Sequence, residues 1–256
     1  LMAYRRMKDA RALEIMPVYL SYIHYMQNKD GSFRNFLSFN RNYLDEIGSE
    51  DSFGRTIWAL GYLLGNAPND AYYQTGKEVF FKAAPNFEKL KSIRGIANTM
   101  IGICYYLKTN LTDDAMMERL RNLAHELIKH YEENESEVWK WFESLLAYDN
   151  GILPLALLHS AEILNEEKIL EVALKSMQFL TAHTLNENYL SIIGNEKWYK
   201  KDGERSVFAQ QPIDAMAMVL MYHRAYIVTK DKEYLNKLYT SFLWFLGEND
   251  LIMSLY

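Results

Sequence analysis

The chain has 256 residues, 49% hydrophobic and 24% charged, the profile of a globular polypeptide with a substantial core. A net charge of −5 with no basic block argues against a nucleic-acid partner. The single cysteine, Cys104 in the apolar run "IGICYYL", excludes an internal disulfide framework, and no apolar stretch reaches the ~20 residues of a bilayer span. The chain opens "LMAYRRMKDA" and stops at "ENDLIMSLY" without an obvious cap, so it reads as a piece of a longer polypeptide. With no signal peptide the cytoplasm is the default expectation, and with no proline- or glycine-rich linker one domain is expected over residues 1–256.

In chain order, nearly every periodic segment has a helical period. A long first helix is expected over about 4–27. The next, over about 51–65, lies in "GSEDSFGRTIWALGYLLG", where Phe53, Ile57, Leu60 and Leu64 recur on one helical face. Asp51 reads as its N-cap and Arg55 as an i,i+4 partner, while Glu50 and Trp58 are groups that a plain structural helix does not need. A partner helix over about 70–84 follows the turn "NAPND". The pair 91–108 and 113–133 comes next, with Thr112 as the cap of the second helix and Leu120, Leu123, Leu127 and Tyr131 along its buried side. Helices over 150–164 and 166–185 precede "NYLSIIG" (188–194), which reads as a short extended piece. The last pair spans 211–229 and 231–247. Pro212 suits a first turn, Leu235, Leu238, Phe242 and Leu246 mark one face to bury, and Gly247 is a C-cap.

The pairs share a grammar. The first helix of each carries small residues (Ala59, Gly61, Gly65; Gly95, Ala97, Gly102; Ala156, Ala161; Ala215, Ala217), and the second is charged along one side. Small residues permit the close approach that an inner ring of helices requires, and a charged face suits an outer layer. The first helices start near 51, 91, 150 and 211, too unevenly for a tetratricopeptide-type solenoid with its period of about 34 residues. The variable part is the loop before each first helix, where function collects on a regular frame. The expected fold is all-α, a closed α/α toroid of helical hairpins.

Three polar segments stand at equivalent helix starts: "GSEDSFGR", "LLAYDNG" and "FAQQPID". Parallel inner helices would bring Glu50, Asp51, Arg55, Asp149, Asn150, Gln210, Gln211 and Asp214 to one end, where helix N-termini favour anionic groups. Glu50, Asp51, Asp149 and Asp214 are then candidates for the acid–base work of glycosidic-bond chemistry or sugar isomerisation, with Asp51 or Glu50 and Asp149 the leading pair and Asp214 in reserve. A separation of ~5–5.5 Å would mean retaining glycosidase chemistry, and ~6.5–9.5 Å inverting chemistry. Arg55 could grip a substrate carboxylate or phosphate. Trp58, Trp139, Trp141, Tyr148 and Trp198 would offer stacking surfaces, and Asn150, Gln210 and Gln211 hydrogen bonds to sugar hydroxyls. The plainer alternative for each polar group is helix capping. The six histidines show no metal-ligand spacing, and no nucleotide or dinucleotide fingerprint occurs, so neither metal nor cofactor is expected.

The stretches "GSEDSFGRTIWALG", "AYDNGILPLALL" and "FAQQPIDAMAMV" resemble the α/α-toroid region that follows the nucleotide-sugar domain in certain bacterial group 1 glycosyltransferase-like polypeptides. The resemblance covers about residues 47–250. It implies a ring related to six-hairpin glycosidases, incomplete here at about nine helices of twelve, and a carbohydrate substrate or acceptor glycan as partner. A nucleotide-sugar domain would precede it in the full-length protein. Two other functions fit the same residues: a non-catalytic glycan-binding or scaffolding module of a glycosyltransferase, and a helical protein–protein adaptor.

Overall fold

The computed structural model describes residues 1–251, and its regular structure is helical apart from one two-stranded ribbon. The chain divides into two compact units, Leu1–Leu120 and Arg121 onward.

In the first unit the expected opening helix is three: α1 (Met2–Met7), α2 (Arg11–Glu14) and α3 (Met16–Met26). Lys8 ends α1 in the left-handed region (φ 56°), Asp9 accepts the Arg11 N–H, and Pro17 falls in the first turn of α3, the one turn that tolerates it. α4 (Glu50–Leu64) and α5 (Asp70–Ala83) form a hairpin. Ser49, not Asp51, caps α4, its hydroxyl accepting the Ser52 N–H at 3.2 Å. α6 (Ile93–Leu107) is buried on every side except at Tyr105, as a central helix must be.

α4 and α6 lie parallel at backbone contact. A Cβ on Gly61 would come within 2.0 Å of the Gly102 carbonyl oxygen, and one on Gly54 within 2.5 Å of that of Gly95. The two glycines of each helix are a heptad apart, so they meet at both levels of one interface. An aromatic cluster of Phe53, Phe80, Phe87 and Tyr106 fills the space beneath, with Phe80 and Phe87 centroids 5.5 Å apart.

α7 (Asp114–Asn134) crosses the boundary between the units. Its cap is Asp113 rather than Thr112, because Asp113 Oδ1 reaches the Met116 N–H at 3.0 Å. In the second unit α8 (Ile152–Leu164) pairs with α9 (Glu167–Thr184), and α10 (Pro212–Thr229) with α11 (Glu233–Leu243). α8 and α10 run parallel: Gly151 abuts Ala217 at one end, and Arg224 meets Glu162 at 2.6 Å towards the other. The extended segments are β1 (Leu145–Leu146) and β2 (Tyr199–Lys200), antiparallel with Leu145 opposite Lys200 and Leu146 opposite Tyr199. The 188–194 stretch contributes a single bridge, Leu185 to Leu190. Of the expected apolar face, Leu235 and Phe242 on α11 and Leu246 in the 3-10 turn after it are exposed among the described residues, whereas Tyr234 of α11 stacks on Tyr222 of α10.

Candidate active site

The expected residues fall into two groups, one in each unit. In the first, parallel packing puts the starts of α4 and α6 side by side. Glu50 Oε2 accepts the backbone N–H groups of Lys91 (2.7 Å) and Ser92 (2.5 Å), so this carboxylate fastens the entry of α6 to the first turn of α4. Asp51 faces two partners: Arg55 Nε at 3.1 Å, one turn along the helix, and Asn98 Nδ2 at 3.4 Å on α6. Asn98 is fully buried and also donates to the Arg94 carbonyl at 2.8 Å. Arg94, nearly buried, adds a second guanidinium to this helix end. The Asp51–Arg55 pair keeps roughly a quarter to a third of its side-chain surface open to solvent. Its coupling is therefore worth only about 0.3–0.5 kcal/mol. The Trp58 indole N–H is buried without an acceptor among the described residues.

In the second unit the junction between the 135–150 loop and α8 meets the start of α10. Asp149 is completely buried with a left-handed backbone (φ 50°), a conformation that aspartate tolerates better than most residues and that collects at functional sites. Asp214, in the first turn of α10, is 5% exposed, and its Oδ1 accepts the Asn150 N–H at 3.3 Å and the Asn150 Nδ2 at 3.5 Å. Asn150 Nδ2 also reaches the Ala147 carbonyl at 2.9 Å. Two buried carboxylates thus flank the junction of two parallel helix starts, where the aligned peptide dipoles favour negative charge. The N-cap of α8 is Gly151, and the Asp149 carbonyl accepts the Ile152 N–H at 3.3 Å.

The remaining expected contacts divide. Trp139 and Trp141 are buried in an aromatic cluster with Phe142, Phe179 and Tyr199, so they are core residues and not stacking surfaces. Trp198 is half-buried, and its indole N–H donates to Asn195 Oδ1 at 2.7 Å. Tyr148 is half-buried beside Asp149 in sequence. Gln210 is held at both ends of its amide: Trp244 Nε1 donates to Oε1 at 2.9 Å, and Nε2 donates to Asp250 Oδ2 at 2.5 Å and more weakly to the Val207 carbonyl. Asp250 also accepts from Ser191, which Arg205 clasps in turn, so Gln210 belongs to a network that fastens the 186–210 loop. Gln211 stands at the N-cap of α10, but its side chain makes no capping bond.

No protein-family model matches the chain, and none of the curated proteins is significantly similar to it. Solved structures are. A Listeria innocua protein aligns over 92% of this chain and 70% of its own, with a TM-score of 0.71 at 12% identity. The cellobiose 2-epimerase of Spirochaeta thermophila aligns over 94% of this chain and 69% of its own, with a TM-score of 0.70 at 15% identity. The GH76A alpha-1,6-mannanase of a Salegentibacter species aligns over 87% of this chain, with a TM-score of 0.61 at 18% identity. The chain spans 66% of that mannanase's length. The fold is shared with these structures. Its class is all-α, helical hairpins of an incomplete α/α toroid.

Within that fold, Arg94, Asn98 and the Asp250 network were not singled out in the sequence. Arg94 and Asn98 did leave a signal, since they are polar residues one turn apart in a helix that otherwise has no charge. The Asp250 network left none, because its members are scattered through loops. Among the described residues no cluster of metal-ligating side chains forms, and no helix is long and apolar enough to cross a membrane.

Proposed function

We propose that the chain is the α/α-toroid part of an enzyme that cleaves glycosidic bonds, with Asp149 and Asp214 supplying the acid–base chemistry. The observation that supports this most is the pair of buried carboxylates at the joint start of α8 and α10, in a fold shared with a mannanase and an epimerase. Glycosidic cleavage needs one carboxyl group to protonate the leaving sugar oxygen and a second to act as base or nucleophile, and this pair offers both. Asp214, which retains slight access, is assigned to touch the sugar, and Asn150 orients it. Asp51 and Arg55 are assigned to substrate contacts in their own unit, with Arg55 suited to an anionic substituent. A mannanase of this fold is inactive when two consecutive aspartates are changed to asparagine. Three consecutive acidic pairs stand at helix starts among the described residues, Glu50–Asp51 at α4, Asp113–Asp114 at α7 and Glu166–Glu167 at α9. Of these we assign Glu50–Asp51 to the sugar-facing role, with Glu50 also engaged in fastening α6. In the full-length protein this part would act in the cytoplasm beside a nucleotide-sugar domain.

The test is turnover of alpha-1,6-mannotriose and of cellobiose by the wild type and by Asp214→Asn, with products separated by chromatography. Loss of a positioned acid or base lowers kcat about 10²–10⁴-fold. Hydrolysis by the wild type and its loss in a variant of unchanged Tm are expected. Binding of either sugar with no turnover would leave a glycan-binding module, and epimerised product would move the chemistry from the glycosidic bond to the sugar ring.

A further inference from the structure

Residues 33–48 form a hydrogen-bonded hairpin leading into α4, and it displays apolar rings to solvent. The strands meet at Leu37 and Tyr43, and Ser38 closes the turn by accepting the Arg41 N–H on its carbonyl and the Asn42 N–H on its hydroxyl, both at 2.9 Å. Asp45 accepts the N–H groups of Asn35 (2.7 Å) and Phe36 (3.0 Å) across the base. The hairpin is anchored twice. Phe33 is buried against Phe53 of α4, and Tyr43 sits between the Tyr25 ring (5.4 Å) and the Arg34 guanidinium (4.0 Å). Asn35 Nδ2 reaches the Ser49 hydroxyl at 3.3 Å, which sets the hairpin beside the cap of α4. At the far end Phe39 is fully exposed, and Phe36 and Leu44 are about two-thirds exposed.

We infer that this hairpin is a stacking platform for an extended neutral glycan, holding the chain beside the start of α4; the inference deepens the carbohydrate reading above and rests on it. Exposed rings and polar side chains are interleaved along the turn in "NFLSFNRNY", with Phe36 and Phe39 set among Asn35, Ser38, Asn40 and Asn42. A sugar chain offers a matching mixture of C–H faces and hydroxyl groups, which neither a lipid surface nor an apolar protein groove does. The charges of Arg34, Arg41, Asp45 and Glu46 cancel within the segment, which removes the attraction for anionic lipid or nucleic-acid phosphate. The turn is fixed by its own hydrogen bonds, so stacking would require little further ordering of the backbone.

The experiment is affinity electrophoresis of the whole chain through gels containing alpha-1,6-mannan or hydroxyethylcellulose, comparing the wild type with Phe39→Ala and Phe36→Ser. Both side chains are exposed, and circular dichroism checks that the variants remain folded. Retardation of the wild type by at least one polysaccharide, weakened at least tenfold in apparent affinity by each variant, is the expected result. Equal retardation of wild type and variants overturns the platform and leaves the catalytic reading untouched. Absence of retardation in both gels also overturns it, and wild-type turnover of mannotriose then judges the catalytic reading separately. A change of elution volume in Phe39→Ala on size exclusion would mark the tip as a contact between copies and overturn the glycan assignment.

Discussion

The carboxylate of Glu50 accepts two backbone N–H groups at the entry to α6, so replacing it tests packing more than chemistry. Glu50→Ala hands those donors over to water and is expected to destabilise the protein by about 0.5–1.5 kcal/mol, read as a lower urea midpoint. Glu50→Gln, which keeps an acceptor oxygen, is expected to lose less. A large loss of turnover in Glu50→Gln at unchanged stability would instead return this residue to the chemistry. Asp214 predicts the opposite pattern, with turnover lost and stability held, because the amide of Asp214→Asn can still accept from Asn150. Gln210 resembles Glu50 in kind. Its amide joins Trp244 to Asp250, and Gln210→Ala is expected to lower Tm and expose the 186–210 loop to protease.

Between elements, glycine decides how closely α4 and α6 approach. A methyl on Gly61 would lie 2.0 Å from a carbonyl oxygen of α6, and backbone cannot swing aside as a side chain can. Gly61→Ala gains about 1 kcal/mol of helix propensity, but overpacking costs ~1–3 kcal/mol even where side chains adjust. The net expectation is destabilisation of about 2 kcal/mol or more by chemical denaturation, and an unchanged midpoint would refute the backbone contact. α11 supplies the converse. Its apolar residues Leu235 and Phe242 read as core in the sequence but are 37% and 46% exposed, so Leu235→Ser and Phe242→Ser are each expected to cost about 1 kcal/mol, less than at a fully buried position. A loss of ~2–4 kcal/mol would mean that this face is covered in solution.

Across the molecule, carboxylates held by donors set the response to acid. Hydrogen bonds from Arg121 and then His125 hold Glu166 below the usual glutamate range, the Lys140 ammonium does the same for Glu135, and the Asn35 and Phe36 amides do so for Asp45. A depressed folded-state pKa stabilises the protein above the unfolded pKa, near 4.5 for glutamate, and that contribution disappears as pH falls through the lower folded value. Tm is therefore expected to be level from about pH 7 to 5 and to decline below about 4.5. Glu166→Gln should lower Tm slightly at pH 7 and converge with the wild type near pH 3. A constant difference across that range would show that the Arg121 and His125 contacts contribute nothing electrostatic. The partly exposed Glu166 and Glu135 contacts are each worth at most about 1 kcal/mol, so the decline is gradual.

Helical periodicity is local, and for that reason eight of the nine expected helices appear close to their expected bounds, the last ending in a short 3-10 turn. The first helix breaks because Asp9 and Pro17 offer local exits that a long apolar pattern hides. Small residues at the first-helix positions announced close packing, and the contact of Gly54 and Gly61 with Gly95 and Gly102 is its outcome. Whether a side chain is open or occupied could not be read locally. Trp141 and Trp198 look alike in sequence, yet one is buried among Phe142 and Phe179 while the other is half-buried on Asn195. The amide of Gln210 and the carboxylate of Glu50 looked available, but their partners lie some forty residues away along the chain. Patterns of period 3.6 belong to neighbouring residues and survive in the primary structure; hydrogen-bond partners and burial belong to chain segments that meet only when the protein folds.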